Sequence, residues 1–244
     1  MRRILLTIEY DGSCYSGWQK QPDKRTVQGE IEQALFRILG QKIEVFGSGR
    51  TDAGVHALNQ KAHFDLDTPI PISKLASIIN NQLPDDIVIK SAEEVANDFH
   101  ARFSLTRKVY SYTIFNSQYK DAFLARRVGR IEYPLDERKM AKAGKLLIGE
   151  HNFKGFASAN TCTDNFVRTI YDLKVERDGD FIYVTVEGSG FLYNMVRIIV
   201  GTLVDYSLGN LTLDDIQSAL KNQDRSKSGR TMVASGLYLK DAIY

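Results

Sequence analysis

Between Gly47 and His56 the chain reads Gly-Ser-Gly-Arg-Thr-Asp-Ala-Gly-Val-His, a short run carrying three glycines, one cation and one carboxylate. Glycine reaches backbone conformations closed to other residues and admits close approach of another chain, so the run can fold tightly and present Arg50 and Asp52. A carboxylate held this way can attack a carbon or stabilise positive charge developing beside it. An arginine two residues away can hold a phosphate. No Gly-Lys-Ser/Thr closes the run, which excludes a Walker loop, and it lacks the dinucleotide fingerprint with its ribose-binding acid. On composition alone, Asp and Gly at such spacing more often make only a turn.

Other side chains compete for attention. His56, His63 and Asp65 fit no usual zinc spacing, so no metal is expected, and His151 reads as structural. Cys14 and Cys162 match no redox or metal pattern and read as free thiols. Tyr110 shares a predicted strand face with Tyr112, the pattern of a core tyrosine, though its ring and hydroxyl also suit stacking and proton transfer. Arg197 lies within the apolar run Met195 to Val200, where a buried cation needs a carboxylate partner unless it faces outward.

Positioning these groups falls to alternating sheet and helix patterns. Ile4, Leu6, Ile8 and Tyr10 alternate with Leu5, Thr7 and Glu9 as in a half-buried strand. Val27, Ile31, Leu35 and Ile38 recur at helical spacing behind the N-cap Thr26, and Gly40 marks a stop. Ile43 to Phe46 and Gln60 to Phe64 read as strands flanking the Asp52 loop. Ser73 to Asn81 reads as a helix closed by Pro84, and Ile87 to Lys90 as a short strand. A second series follows: a strand from Val109 to Asn116, a helix from Asp136 to Ile148, a hairpin of Arg168 to Arg177 and Phe181 to Glu187 turning at Asp178-Gly179, a helix from Phe191 to Leu208, and a last helix to Leu220 opened by a Thr212/Asp215 capping box.

The expected class is α+β in two subdomains, residues 1–105 and 106–244, each a mostly antiparallel sheet covered by helices. A cleft between them is where a site is expected. At 43% hydrophobic and 25% charged, with 18 Gly and 5 Pro, the 244 residues have the composition of an ordinary globular protein. The start Met1-Arg2-Arg3-Ile4-Leu5-Leu6 turns polar too soon for a signal peptide, and no apolar run reaches bilayer length, so the cytoplasm is expected. The net charge is +2, with 12 Lys/Arg and 14 Asp/Glu in residues 1–105 and 20 and 16 in the rest. The later half groups its cations: Arg107 and Lys108; Arg126, Arg127 and Arg130; Lys221, Arg225, Lys227 and Arg230. Such groups grip a polyanion if folding gathers them, and otherwise form a solvated face.

The Asp52 loop, continued as Ala57-Leu58-Asn59-Gln60-Lys61-Ala62-His63-Phe64-Asp65, resembles the signature of the TruA family of tRNA pseudouridine synthases. The likeness extends to Tyr10-Asp11-Gly12, Gly17-Trp18-Gln19, Thr26-Val27-Gln28, Leu83-Pro84 and Phe99-His100-Ala101-Arg102. In the later half it takes in Lys108 to Tyr112, Gly149 to Phe153, Arg168-Thr169-Ile170 and Gly190 to Gly201. The resemblance implies the pseudouridine synthase fold and cofactor-free isomerisation of uridine to pseudouridine at positions 38, 39 and 40 of the tRNA anticodon stem-loop, with the target base flipped from its stack. It implies Asp52 as the essential catalytic residue, Arg50 at a phosphate or in the vacated space, Tyr110 stacked on the flipped uracil, and Arg197 as the partner of Asp52 that keeps it ionised. It also implies a homodimer whose two subunits touch one tRNA. A non-catalytic RNA-binding protein on the same fold would need the cations but not Asp52. A hydrolase using Asp52 with a histidine would lose activity to chelators.

Overall fold

The computed structural model describes residues 1–244. The chain forms two compact units, Met1–Thr106 with Tyr238–Tyr244, and Arg107–Leu237. The sequence reading divides the chain at 105/106 and leaves the C-terminal residues with the second half; contacts divide it at Thr106/Arg107 and return residues 238–244 to the first.

In the first unit, strands β1 (Arg2–Tyr10), β2 (Phe46–Gly47), β3 (His56–Leu66) and β4 (Ile87–Val95) are joined by helices α1 (Val27–Leu39) and α2 (Ile72–Asn80). β1 is central and antiparallel to both β3 and β4, with Leu5 opposite His63 and Ile8 opposite Ile89. The core holds Ile4, Leu6 and Ile8 of β1, Phe64 and Leu66 of β3, Val27, Ile31 and Leu35 of α1, and Leu75 and Ile79 of α2, all buried. Helix α1 begins and ends where its sequence says: the Thr26 side chain accepts the Gly29 N–H, and Gly40 takes the left-handed conformation at φ 69°.

Two expectations for this unit need correction. The strand expected over Ile43 to Phe46 shrinks to β2, because only Phe46 and Gly47 find partners, opposite His63 and Ala62. β1 is not half-buried: Leu5 and Thr7 are covered as well as the Ile4 face. Opposite Thr7 on β3, Lys61 donates its Nζ to the threonine hydroxyl at 2.7 Å.

The second unit contains β5 (Arg107–Asn116), β6 (Gly129–Ile131), β7 (Gly149–Asn152), β8 (Val167–Asp178) and β9 (Phe181–Gly188), with helices α3 (Glu137–Gly144), α4 (Met195–Ser207) and α5 (Leu213–Lys221). β5, β9, β8 and β7 pair antiparallel in that order, and short β6 joins β5 in parallel. The β8–β9 hairpin turns at Gly179-Asp180, one residue later than expected, with Asp178 still paired to Phe181 and Gly179 at φ 56°. Its core gathers Tyr112 and Ile114, Ile182, Val184 and Val186, Met140, Phe153, Phe156, Ile198, Ile199 and Leu203. α5 has the capping box read from Thr212 and Asp215, each side chain meeting the other's backbone N–H.

Helix α3 ends at Gly144 rather than Ile148, passing into a 3-10 turn over Lys145–Leu147. Helix α4 starts at Met195, not Phe191, because Asn194 sits at φ 60° and breaks the turn before it. No helix is long and apolar enough to cross a membrane.

The last strand, β10 (Leu237–Ile243), runs parallel to β3, with Tyr238 opposite His56 and Leu239 opposite Ala57. This pairing lies at the end of β3 that receives the chain from the Asp52 loop.

Candidate active site

The Asp52 loop is braced at each end by the sheet. At its start the Ser48 N–H donates to the Lys61 carbonyl at 2.7 Å, the Ser48 hydroxyl to Gln60 Oε1 at 2.6 Å, and Gln60 Nε2 to the Gly49 carbonyl at 2.9 Å. At its tip the Val55 N–H closes a turn on the Asp52 carbonyl at 3.1 Å, with Gly54 at φ 77°. Thr51 is buried and its hydroxyl meets the Tyr10 hydroxyl at 2.7 Å. Burial raises the Tyr10 pKa, so it stays a neutral phenol. The residue before Asp52 is thus locked, while Asp52 itself is half-exposed.

A second segment, Asp11 to Gln19, lies against the loop, and its glycines are what let it do so. A Cβ on Gly12 would fall 2.0 Å from the Val55 carbonyl oxygen, and one on Gly17 would fall 2.5 Å from that of Thr51. Gly47 gives the same clearance to the Trp18 indole. The Trp18 N–H donates to the Thr51 carbonyl at 3.0 Å, while the Gly17 and Trp18 carbonyls accept the N–H groups of Val27 and Gln28 at 3.2 and 3.0 Å. The first turn of α1, whose N–H groups have no partner within the helix, is therefore satisfied by the segment that holds the loop.

His56 ends the loop. It is buried, stacked on Tyr238 at 4.6 Å, and its Nδ1 accepts the Gly12 N–H at 3.1 Å. The Asp11 carboxylate lies 3.2 Å from the same nitrogen. His63 likewise accepts the Ala101 N–H at 3.2 Å, and burial, with His100 and Arg3 nearby, lowers its pKa to about 4. Both histidines brace backbone, and no group of three or more His, Cys, Asp or Glu side chains is placed to hold a metal ion.

Arg50 is exposed, its Nε donating to Gln19 Oε1 at 3.1 Å. Arg50 and Asp52 thus share one braced loop in the first unit.

Tyr110 and Arg197 belong to the second unit. Tyr110, opposite Val186, is 8% exposed and meets Phe191 edge-to-face at 5.2 Å. Tyr112, two residues on, is fully buried, its hydroxyl donating to the Val233 carbonyl at 2.9 Å and its ring seated against Gly129 and Gly236. Arg197 is half-buried, and neutral oxygens meet its charge: Nε donates to the Met232 carbonyl and Nη1 to Asn194 Oδ1, both at 2.6 Å. The left-handed Asn194 that delays α4 is the residue that orients this guanidinium.

The basic groups are largely occupied within the second unit. Lys227 pairs with Asp215 at 3.0 Å, Arg230 with Asp205, and Arg225 reaches the Ser228 hydroxyl and the Gly229 carbonyl at 2.9 Å. Arg107 pairs with Glu187 at 3.0 Å and lies over the Tyr171 ring at 5.0 Å. Arg130 donates to the carbonyls of Ser117, Gln118 and Tyr119. Each of these cations has a partner within the second unit, while Arg107, Lys227 and Arg230 stay about half exposed.

Reasoning from sequence overlooked Gln28, Gln19, Trp18 and Tyr10 as the frame of the loop. Gln28 offered a signal: a polar residue on the apolar side of α1, two residues after its N-cap, is buried only if its amide has work.

A family model described as tRNA pseudouridine synthase matches residues 6–104 and 143–244. Proteins named tRNA pseudouridine synthase A are 49% identical in Brevibacillus brevis and 46% in Caldicellulosiruptor saccharolyticus, each over 100% of both chains. One from Bacillus velezensis is 43% identical over 99% of both chains. Among solved structures, a Cbf5-Nop10-Gar1 complex matches 99% of this chain and 58% of that chain at TM-score 0.39 and 14% identity, a similarity too low to bear on the fold.

Proposed function

Because the chain belongs to the tRNA pseudouridine synthase family, we propose that it isomerises uridine to pseudouridine at positions 38, 39 and 40 of the tRNA anticodon stem-loop, with Asp52 as the catalytic residue. The observation that carries the reading is the bracing of the loop around a half-exposed aspartate: Thr51 and Val55 on either side are fixed, so the backbone that carries the carboxylate is held in place.

In the reaction the N1–C1′ bond breaks, the uracil turns while bound, C5 bonds to C1′, and the proton displaced from C5 leaves as N1 gains one. Atoms and electrons balance without cofactor or oxidant. Asp52 either attacks the nucleoside covalently or stabilises the cationic ribose; both roles need an ionised carboxylate held close to the sugar. Arg50 holds a phosphate or takes the place of the extruded base. Tyr110 stacks on the flipped uracil, and its hydroxyl is the candidate acceptor for the C5 proton. Arg197 supplies a positive charge that favours ionised Asp52, in an orientation set by Met232 and Asn194. The protein works in the cytoplasm as a homodimer whose two subunits contact one tRNA.

The test is pseudouridine mapping on unmodified tRNA transcripts with wild type and Asp52→Ala. Conversion at positions 38 to 40 by wild type, and a kcat loss of at least about 10³-fold in a variant that still binds tRNA, is the expected result. Binding by both proteins without conversion by either overturns it.

A further inference from the structure

Gln28 is a buried amide with both ends committed. Its Nε2 donates to the Val45 carbonyl at 3.0 Å and to Glu32 Oε1 at 3.1 Å, which fixes the amide's polarity and leaves Oε1 as an acceptor. Oε1 takes the Lys20 N–H at 2.8 Å and Gln19 Nε2 at 2.6 Å. Gln19, its amino end so engaged, presents its own Oε1 to Arg50 Nε at 3.1 Å. Polarity is dictated at every step: reversing either amide would set donor against donor or acceptor against acceptor. From this chain we infer that Gln19 and Gln28 are positioning residues for Arg50, carrying the rigidity of α1 to a guanidinium that meets the RNA. The inference rests on the proposed role of Arg50 at the substrate.

An exposed arginine on the loop would otherwise sample many rotamers and surrender that freedom on binding. Anchoring Nε to an acceptor of fixed direction restricts the side chain beforehand and leaves the terminal nitrogens as the fork that suits a phosphate. The Gln28 backbone contributes as well, since its N–H donates to the Trp18 carbonyl at 3.0 Å and Trp18 in turn donates to Thr51 at 3.0 Å. Arg50 and the backbone before Asp52 are thus referenced to the same helix turn.

A double-mutant cycle on RNA affinity tests this, using Gln19→Ala, Arg50→Ala and the double variant of the full chain with a fluorescent anticodon stem-loop RNA. Gln19→Ala is expected to weaken binding about fivefold in the wild-type background and under about 1.5-fold in the Arg50→Ala background. The slope of log Kd against log salt should fall by about one for Arg50→Ala and stay unchanged for Gln19→Ala, because no charge is lost. Equal weakening in both backgrounds, or no weakening at all, overturns the inference. Gln19 is half-buried, so the cycle stays readable even where a Gln28 variant does not fold. Affinity is measured apart from conversion: a wild type that binds with the expected coupling yet makes no pseudouridine keeps the relay and sinks the catalytic assignment.

Discussion

Gly17 faces the Thr51 carbonyl so closely that a Cβ would lie 2.5 Å from its oxygen, and it does so at φ 93°. Two demands, a left-handed backbone and an absent side chain, coincide one residue before the catalytic candidate. Gly17→Ala should therefore cost roughly 2–4 kcal/mol of stability. It should also lower kcat more than the melting temperature alone explains, because Thr51 has to move and Asp52 moves with it. Urea unfolding and kcat on the same preparation check this; a variant as stable as wild type would show that the contact is not tight.

Tyr110→Phe separates the two tasks assigned to that side chain. The ring and its contact with Phe191 survive, so KM should hold within about threefold, while loss of the oxygen should cost kcat about 10²-fold or more if it accepts the C5 proton. An unchanged kcat would leave Tyr110 with stacking alone.

His63 gives the first unit an acid sensitivity of predictable sign. Its pKa is lowered from 6.5 to about 4 in the folded protein, by burial first and by His100 and Arg3 after it. The unfolded chain takes up the proton more readily, so the stability His63 contributes is complete above pH ~6.5 and is lost as the pH falls towards 4. The whole effect is on the order of 3 kcal/mol. Urea unfolding between pH 7 and 4 should show this slope in wild type and a shallower one in His63→Gln; parallel curves would refute it.

Asp205 anchors the segment before β10. Burial alone would raise its pKa, but Arg230, donating through both guanidinium and backbone, outweighs that and holds it below the usual carboxylate value. Half-exposed Arg230 tempers the energy, so Asp205→Asn should cost roughly 1–3 kcal/mol at pH 7. Stability from a depressed carboxylate is present above its unfolded pKa near 3.9 and lost below, so the gap between wild type and variant should close as the pH falls through that region. A constant gap would assign the loss to packing.

Much of this fold is legible in the sequence itself. Thr26, Gly40 and the Thr212/Asp215 pair announced helix ends, because capping is local chemistry between residues three or four apart. β10 was not, since a parallel partner far along the chain leaves no periodic trace, and β2 was read too long because only its last residues find a partner. Asn194 hid the true start of α4 because its apolar neighbours continue the helical spacing through it. For the site, Arg50 and Asp52 stood out by composition, whereas Gln19 and Gln28 matter only through partners that folding brings together.

The parallel pairing of β10 with the start of β3 sets an order of assembly. While the chain emerges from the ribosome, residues 1–106 can form β1, β3 and β4 early, but the edge of β3 at His56 and Ala57 waits for Tyr238 and Leu239. Those are the residues directly behind the Asp52 loop. A nascent or truncated chain lacking β10 would carry every proposed catalytic side chain and still lack the strand that steadies the aspartate's support, so activity should mature only once β10 has been made and paired.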